Sequence, residues 1–97
     1  MVAGYKLKIP HETAGIIKSL HPDLKIRVKA ALKSILRDPH SGKALKDELK
    51  GLRSFRIRKF RLIYRVSSDK IVEIIAIGPR KKIYEETFRL ISKKRTM

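Results

Sequence analysis

Phe55-Arg56-Ile57-Arg58-Lys59-Phe60-Arg61-Leu62-Ile63-Tyr64-Arg65 is the stretch that decides how this chain folds. Apolar and basic residues alternate along it, the signature of strands that bury one face and solvate the other. It reads as two strands folded back on each other, Phe55–Lys59 and Phe60–Ser67. Alternation puts Phe55 and Ile57 on one face of the first, with Arg56 and Arg58 on the other. In the second, Arg61, Ile63 and Arg65 stand opposite Phe60, Leu62, Tyr64 and Val66. If Phe55 and Ile57 face the core, Arg56, Arg58 and Arg61 meet on the open side. Charge also guards edge strands against aggregation, but three arginines on one sheet face exceed what that needs.

Working outward, Ser68-Asp69-Lys70 is a tight turn and Lys70–Ile77 a third strand, which completes an antiparallel meander ended by Gly78-Pro79. Upstream, Tyr5–Ile9 alternates as a strand and stops at Pro10. Ala14, Ile16, Ile17 and Leu20 recur at helical spacing between His11 and Leu20. Pro22 stands in the first turn of a second helix, whose stripe is Leu24, Val28, Ala31, Leu32, Ile35 and Leu36 and which Asp38-Pro39 ends. His40–Lys43 reads as a loop and Ala44–Lys50 as a short helical turn broken by Gly51. A C-terminal helix is expected from near Ile83, with Lys93–Met97 frayed. The order β-α-α-β-β-β-α gives an α+β fold, residues 1–97 forming one domain. A four-stranded, mainly antiparallel sheet carries the helical hairpin on one face, and a short C-terminal helix partly covers the other.

The 97 residues carry a net charge of +16, with 42% hydrophobic and 35% charged residues. Such self-repulsion destabilises a small domain and points to a polyanionic partner. From Gly51 to Lys82 there are ten cations and two carboxylates. The absence of cysteine excludes disulfides and thiolate metal sites and fits a reducing compartment. Met1–Lys6 does not read as a signal peptide, and no apolar run approaches the roughly 18 residues of a membrane span. A cytoplasmic protein without membrane attachment is expected.

A second basic cluster, Arg80-Lys81-Lys82-Ile83-Tyr84, follows the third strand. Guanidinium groups on a rigid sheet offer phosphate planar, bidentate donors. Nearby guanidinium groups favour a phenolate, so Tyr84 is a candidate general base on a ribose 2′-hydroxyl. Stacking on a base or packing in the core are the alternatives for it. Arginine stabilises the developing dianion of a phosphorane. Arg61 and Arg80 are both expected to be solvent-accessible. Arg56, Arg58, Lys59, Lys81 and Lys82 are the candidate RNA contacts. His11, His21 and His40 have no partners at metal-ligand spacing and read as surface residues, so neither metal nor cofactor is expected. Glu85-Glu86 is placed to cap the positive end of the last helix.

Several segments together resemble the RelE/ParE toxin superfamily, and within it the RelE-like mRNA interferases. These are Tyr5–Ile9, the helical hairpin, Lys46-Asp47-Glu48-Leu49-Lys50-Gly51-Leu52, Phe55-Arg56-Ile57-Arg58, Phe60-Arg61-Leu62-Ile63-Tyr64, and Ile77-Gly78-Pro79-Arg80-Lys81-Lys82-Ile83-Tyr84. The resemblance implies a toxin of a type II toxin–antitoxin pair that cuts mRNA on the ribosome by attack of the 2′-hydroxyl on the adjacent phosphate. Its implied partners are a cognate antitoxin, the ribosome with its mRNA, and operator DNA through the antitoxin only. By position, Arg56 and Arg58 fall where RelE toxins carry lysines, Arg61 on a phosphate-binding arginine, Arg80 on the catalytic arginine and Tyr84 on the C-terminal tyrosine, so the resemblance implies Arg61, Arg80 and Tyr84 as the catalytic residues. Arginine at positions 56 and 58 keeps charge without proton transfer, and the Arg80–Tyr84 interval is shorter than in the best-known RelE toxins. These departures keep open a ParE-like toxin that inhibits DNA gyrase, or a basic RNA-binding module without catalysis. An acidic, amphipathic antitoxin segment is expected to cover the open arginine face.

Overall fold

The computed structural model describes residues 4–95. Strand β1 (Lys6–Lys8) leads into helices α1 (His11–Lys18) and α2 (Pro22–Arg37). The chain then forms a two-residue strand β2 (Lys43–Ala44), a 3₁₀ turn (Asp47–Leu49), strands β3 (Arg53–Ile57), β4 (Phe60–Val66) and β5 (Ile71–Pro79), and helix α3 (Arg80–Arg95).

Local chemistry accounts for these boundaries. Pro22 opens α2 with its φ already helical, and the imidazole of His21 accepts the Asp23 N–H at 3.2 Å, capping the helix. Asp23 in the first turn and Arg37 in the last complement the helix dipole. Asp38 is extended because Pro39 follows it. Lys70 takes a φ of +61° in the β4–β5 turn, where the Ser67 N–H donates to the Ile71 carbonyl at 2.9 Å.

The sheet order is β1-β5-β4-β3-β2, so the sheet has five strands rather than the expected four. The additional strand pairs Lys43 with Ser54 and Ala44 with Arg53. Two exposed residues in a serine- and glycine-bearing loop show no alternation, so only pairing with β3 makes them a strand. The 3₁₀ turn lies inside the segment read as helical. The β3–β4–β5 meander is antiparallel, whereas β1 runs parallel to β5.

One core lies between the helical hairpin and the sheet. Val28, Ala31 and Ile35 of α2 meet Ile57, Leu62, Tyr64, Val72, Ile74 and Ile77. A smaller core on the opposite face joins Leu52, Ile63 and Ala76 to Ile83 of α3. A helix therefore covers this face, as expected, but it is longer than the short helix expected to cover it only in part. That helix has 16 residues and starts at Arg80, not near Ile83. Gly78 and Pro79 do not stop β5: they pair with Arg61 and Phe60 of β4 and extend it. Helix α3 then begins at once, with the Arg80 N–H donating to the Lys59 carbonyl at 2.9 Å. Glu85 and Glu86 consequently lie beyond the first turn, and Glu85 pairs with Arg89 instead of capping. The helix continues through Lys93, Lys94 and Arg95, where fraying was expected, while Thr96 and Met97 lie outside the described residues.

Candidate nucleic-acid interface

The β3–β4 hairpin pairs Ile57 with Phe60 and leaves Arg58 and Lys59 as a two-residue turn. Arg58 adopts a φ of +55° there, so it is not on the strand face where alternation placed it. Such a backbone is uncommon for a residue with a side chain, and the tight turn imposes it. Arg56 does stand on the α3 face, directly across from Arg61. Its Nε donates back to the Arg58 carbonyl at 3.3 Å.

The bond from Arg80 to Lys59 ties the start of α3 to this turn. Arg80, Lys81 and Lys82 form the first turn of α3, which has no acidic residue. Cations at the positive end of a helix dipole are unfavourably placed, and together with that end of the dipole they attract anions. Arg56, Arg58, Lys59, Arg80, Lys81 and Lys82 are all exposed and crowd this end of the sheet. Arg61 differs from the expectation: it is half-buried, and its Nε is buried without a hydrogen-bond partner.

Tyr84 lies one helical turn, about 6 Å, beyond Arg80 along α3. Half-buried, it packs against the smaller core, and its hydroxyl lies 3.2 Å from Ser54 Oγ. Ser54 precedes Arg56 by two residues on the same face of β3, a step of about 7 Å. Register and helix pitch thus gather Arg56, Arg61, Arg80 and Tyr84 at one corner.

Two residues here were not singled out in the sequence. Ser54 is 2% exposed and holds the Tyr84 hydroxyl; its only sequence signal is sharing parity with Arg56 in a strand. Phe88, read there as an apolar helix position, is 43% exposed and follows Tyr84 by four residues on the same side of α3. Other cations of the basic stretch have structural duties. Arg53 donates to the carbonyls of Gly42 and His40, both at 3.1 Å. Arg65 pairs with Glu73 at 2.6 Å. The three histidines are exposed, and no group of three potential metal-ligating side chains occurs among the described residues. Nor, among them, is any helix long and apolar enough to cross a membrane.

The family model for the ParE toxin of the parDE type II toxin–antitoxin system matches residues 10–84. The chain belongs to the ParE toxin family. The match to the ParE toxin model spans both helices of the hairpin, the meander, and Arg80 and Tyr84. Among solved structures, the RelBE2 toxin–antitoxin complex of Mycobacterium tuberculosis is similar, with 27% identity and a TM-score of 0.70 over 80% of this chain and 100% of that one. The archaeal RelE–RelB complex of Pyrococcus horikoshii is 25% identical with a TM-score of 0.67, covering 80% of this chain and 97% of that one. A double arginine-to-alanine variant of Escherichia coli RelE in the free state shares the fold at 20% identity, with a TM-score of 0.74 over 95% of this chain and 98% of that one. No curated protein matches the sequence. The protein is thus a toxin of the RelE/ParE superfamily, from a type II toxin–antitoxin system.

Proposed function

We propose that this toxin is a ribosome-dependent mRNA endoribonuclease. The observation that carries this reading is the cross-strand pair Arg56–Arg61. Like charges directly opposite on a sheet repel, and neither guanidinium has a carboxylate partner among the described residues. Arg61 Nε is moreover a buried donor with nothing to bond. A bound phosphate would satisfy that donor and offset the paired positive charges.

In the reaction, a ribose 2′-oxygen attacks the adjacent phosphorus and the P–O5′ bond breaks. The ends left are a 2′,3′-cyclic phosphate and a 5′-hydroxyl. Arg61 and Arg80 stabilise the charge that grows on the phosphorane oxygens. Arginine cannot take the 2′ proton, so the candidate base is Tyr84, its hydroxyl held in direction by Ser54 Oγ. The departing 5′-oxygen takes its proton from water or from the protonated tyrosine. Arg56, Arg58, Lys59, Lys81 and Lys82 hold the flanking RNA backbone, and Phe88 offers a face for a base. No metal or cofactor takes part in this scheme. An antitoxin is the protein partner, and operator DNA is reached only through it. The reaction belongs in the cytoplasm, where ribosomes and mRNA meet.

Inhibition of DNA gyrase is the second reading, favoured by the match to the ParE toxin model. A cell-free translation reaction separates the two. The nuclease reading expects new mRNA 5′-hydroxyl ends mapped within codons, formed only with ribosomes present. Intact mRNA, with supercoiling by purified gyrase blocked, supports gyrase as the target.

A further inference from the structure

Two side chains border the seam between α3 and the sheet next to Tyr84. The first, Phe88, follows Tyr84 by one helical turn, about 6 Å along the axis. Ile83 and Thr87 are buried beneath α3 and Ile91 packs on the smaller core, so these three mark the side of the helix that faces the sheet. At 100° per residue, Tyr84 lies about 60° around the helix from Thr87 and Phe88 about 100°, both toward β3. Phe88 is 43% exposed and belongs to neither core, so much of its ring meets solvent.

Lys43 supplies the opposite bank. It pairs directly with Ser54 across β2 and β3, and cross-strand partners project from the same face of a sheet. Leu45, two residues on, packs on the smaller core with Tyr84, which fixes the parity of β2 independently. Lys43 therefore stands on the α3 face, its backbone about 5 Å from that of the serine whose hydroxyl meets Tyr84. A lysine side chain spans such a gap. Lys43 is exposed, and its ammonium pairs with no carboxylate among the described residues. Arg53 and Arg65, by contrast, are engaged within the fold.

We infer that Phe88 and Lys43 form a second nucleotide subsite, which takes the unpaired RNA nucleotide immediately 5′ to the one that is cut. The inference deepens the nuclease reading and rests on it. The polarity follows from the order of groups along the seam. In that reading the reacting phosphate lies among Arg56, Arg61 and Arg80, and Tyr84 faces the 2′-hydroxyl of the nucleotide on its 5′ side. The strand therefore runs 3′ into the arginine corner and 5′ along α3 toward Phe88. The phosphate that joins the cut nucleotide to its 5′ neighbour lies level with Ser54 and Tyr84, within reach of the Lys43 ammonium. The base of that neighbour stacks on Phe88. Every base has a π-face, so the subsite anchors the strand without selecting a codon. Lys43 and Phe88 are thus positioning residues: they hold the 5′ side of the strand and align the 2′-oxygen with the phosphorus while touching neither.

Single-turnover cleavage on programmed ribosomes at subsaturating toxin tests the subsite with two mRNAs, one intact and one with an abasic ribose immediately 5′ to the cut. Phe88→Ala should slow cleavage of the intact mRNA about 10-fold or more, the scale of losing one stacked base. Removing the base should slow the wild-type toxin equally and cost Phe88→Ala little further, because both changes delete the same contact. Phe88→Tyr should keep the wild-type rate. Lys33→Ala, exposed on α2, should keep the wild-type sensitivity to the missing base. Lys43→Ala should reduce the slope of log affinity for programmed ribosomes against log salt by roughly 0.7–0.9, and Lys43→Arg should restore it. If Phe88→Ala fails to fold, the abasic mRNA with the wild-type toxin and the Lys43 pair decide. Additive losses from Phe88→Ala and the abasic ribose, or a salt slope untouched by Lys43→Ala, overturn the inference while cleavage by the wild type upholds the nuclease reading. A wild-type toxin that cuts neither mRNA overturns the nuclease reading and the subsite together.

Discussion

The hydroxyl of Tyr84 lies 3.2 Å from the Oγ of Ser54, across the gap between α3 and β3. This contact joins the helix that follows the meander to the strand that opens it. It fixes the phenol within one same-face step of Arg56. A part-buried phenol needs a polar partner at its tip, and Ser54 supplies it here.

Tyr84→Phe keeps the ring and its packing and removes the oxygen. Single-turnover cleavage on programmed ribosomes is expected to fall by about 10²–10⁴, with ribosome binding retained. Ser54→Ala should lower the rate less, by about 10-fold, because the phenol persists but loses its orientation. Cleavage by Tyr84→Phe at the wild-type rate would leave Tyr84 a stacking or packing residue.

Arg61→Ala and Arg80→Ala should each reduce cleavage by about 10²–10³. Their effects on folding differ in origin. Arg80 is exposed, so its loss should change stability by less than about 0.5 kcal/mol. Arg61 loses a packed aliphatic stem but also a buried, unpaired donor. These oppose each other, and urea unfolding should show a net change under about 1 kcal/mol. A loss of several kcal/mol would show that Arg61 serves the fold.

Binding to ribosomes or RNA should weaken steeply with salt. Each phosphate contact contributes roughly 0.7–0.9 to the slope of log affinity against log salt concentration. Arg58→Ala with Lys59→Ala, both in the hairpin turn, should reduce that slope by about 1.5. Filter binding across a salt series measures it, and a slope unchanged by the double variant would place the RNA elsewhere.

The loop after α2 provides a test of the fold alone. The Tyr64 hydroxyl accepts the Gly42 N–H at 2.9 Å and donates to the Pro39 carbonyl at 2.8 Å, fully buried. Tyr64→Phe orphans both groups and should cost about 2–3 kcal/mol. A Cβ at Gly42 would stand 2.5 Å from that hydroxyl, so Gly42→Ala should destabilise as strongly. Removing the oxygen relieves part of the clash, and the double variant should be about 1 kcal/mol better than the sum of the singles. Strict additivity in urea unfolding would contradict the contact.

The α+β class, both helices of the hairpin, the meander and the parity of most side chains on it are legible in the amino-acid order alone. Those features come from local physics: strand alternation, the helical stripe from Val28 to Ile35, and proline at positions 10, 22 and 39. That Arg56 and Arg61 share a face was legible for the same reason, but their direct pairing was not. The remaining features depend on partners distant in sequence. Lys43–Ala44 is a strand only because β3 lies beside it. Gly78-Pro79 extends β5 because β4 pairs with it, despite a dipeptide that locally favours a stop. Arg58 leaves the strand face because the register Ile57–Phe60 makes it a turn residue. The union of Ser54 with Tyr84, and the seam between α3 and β3, follow from how α3 lies across the sheet. No period in the sequence encodes that, because a helix of 16 residues with three carboxyl-free cations at its start and apolar side chains on several sides is positioned by the surfaces it meets.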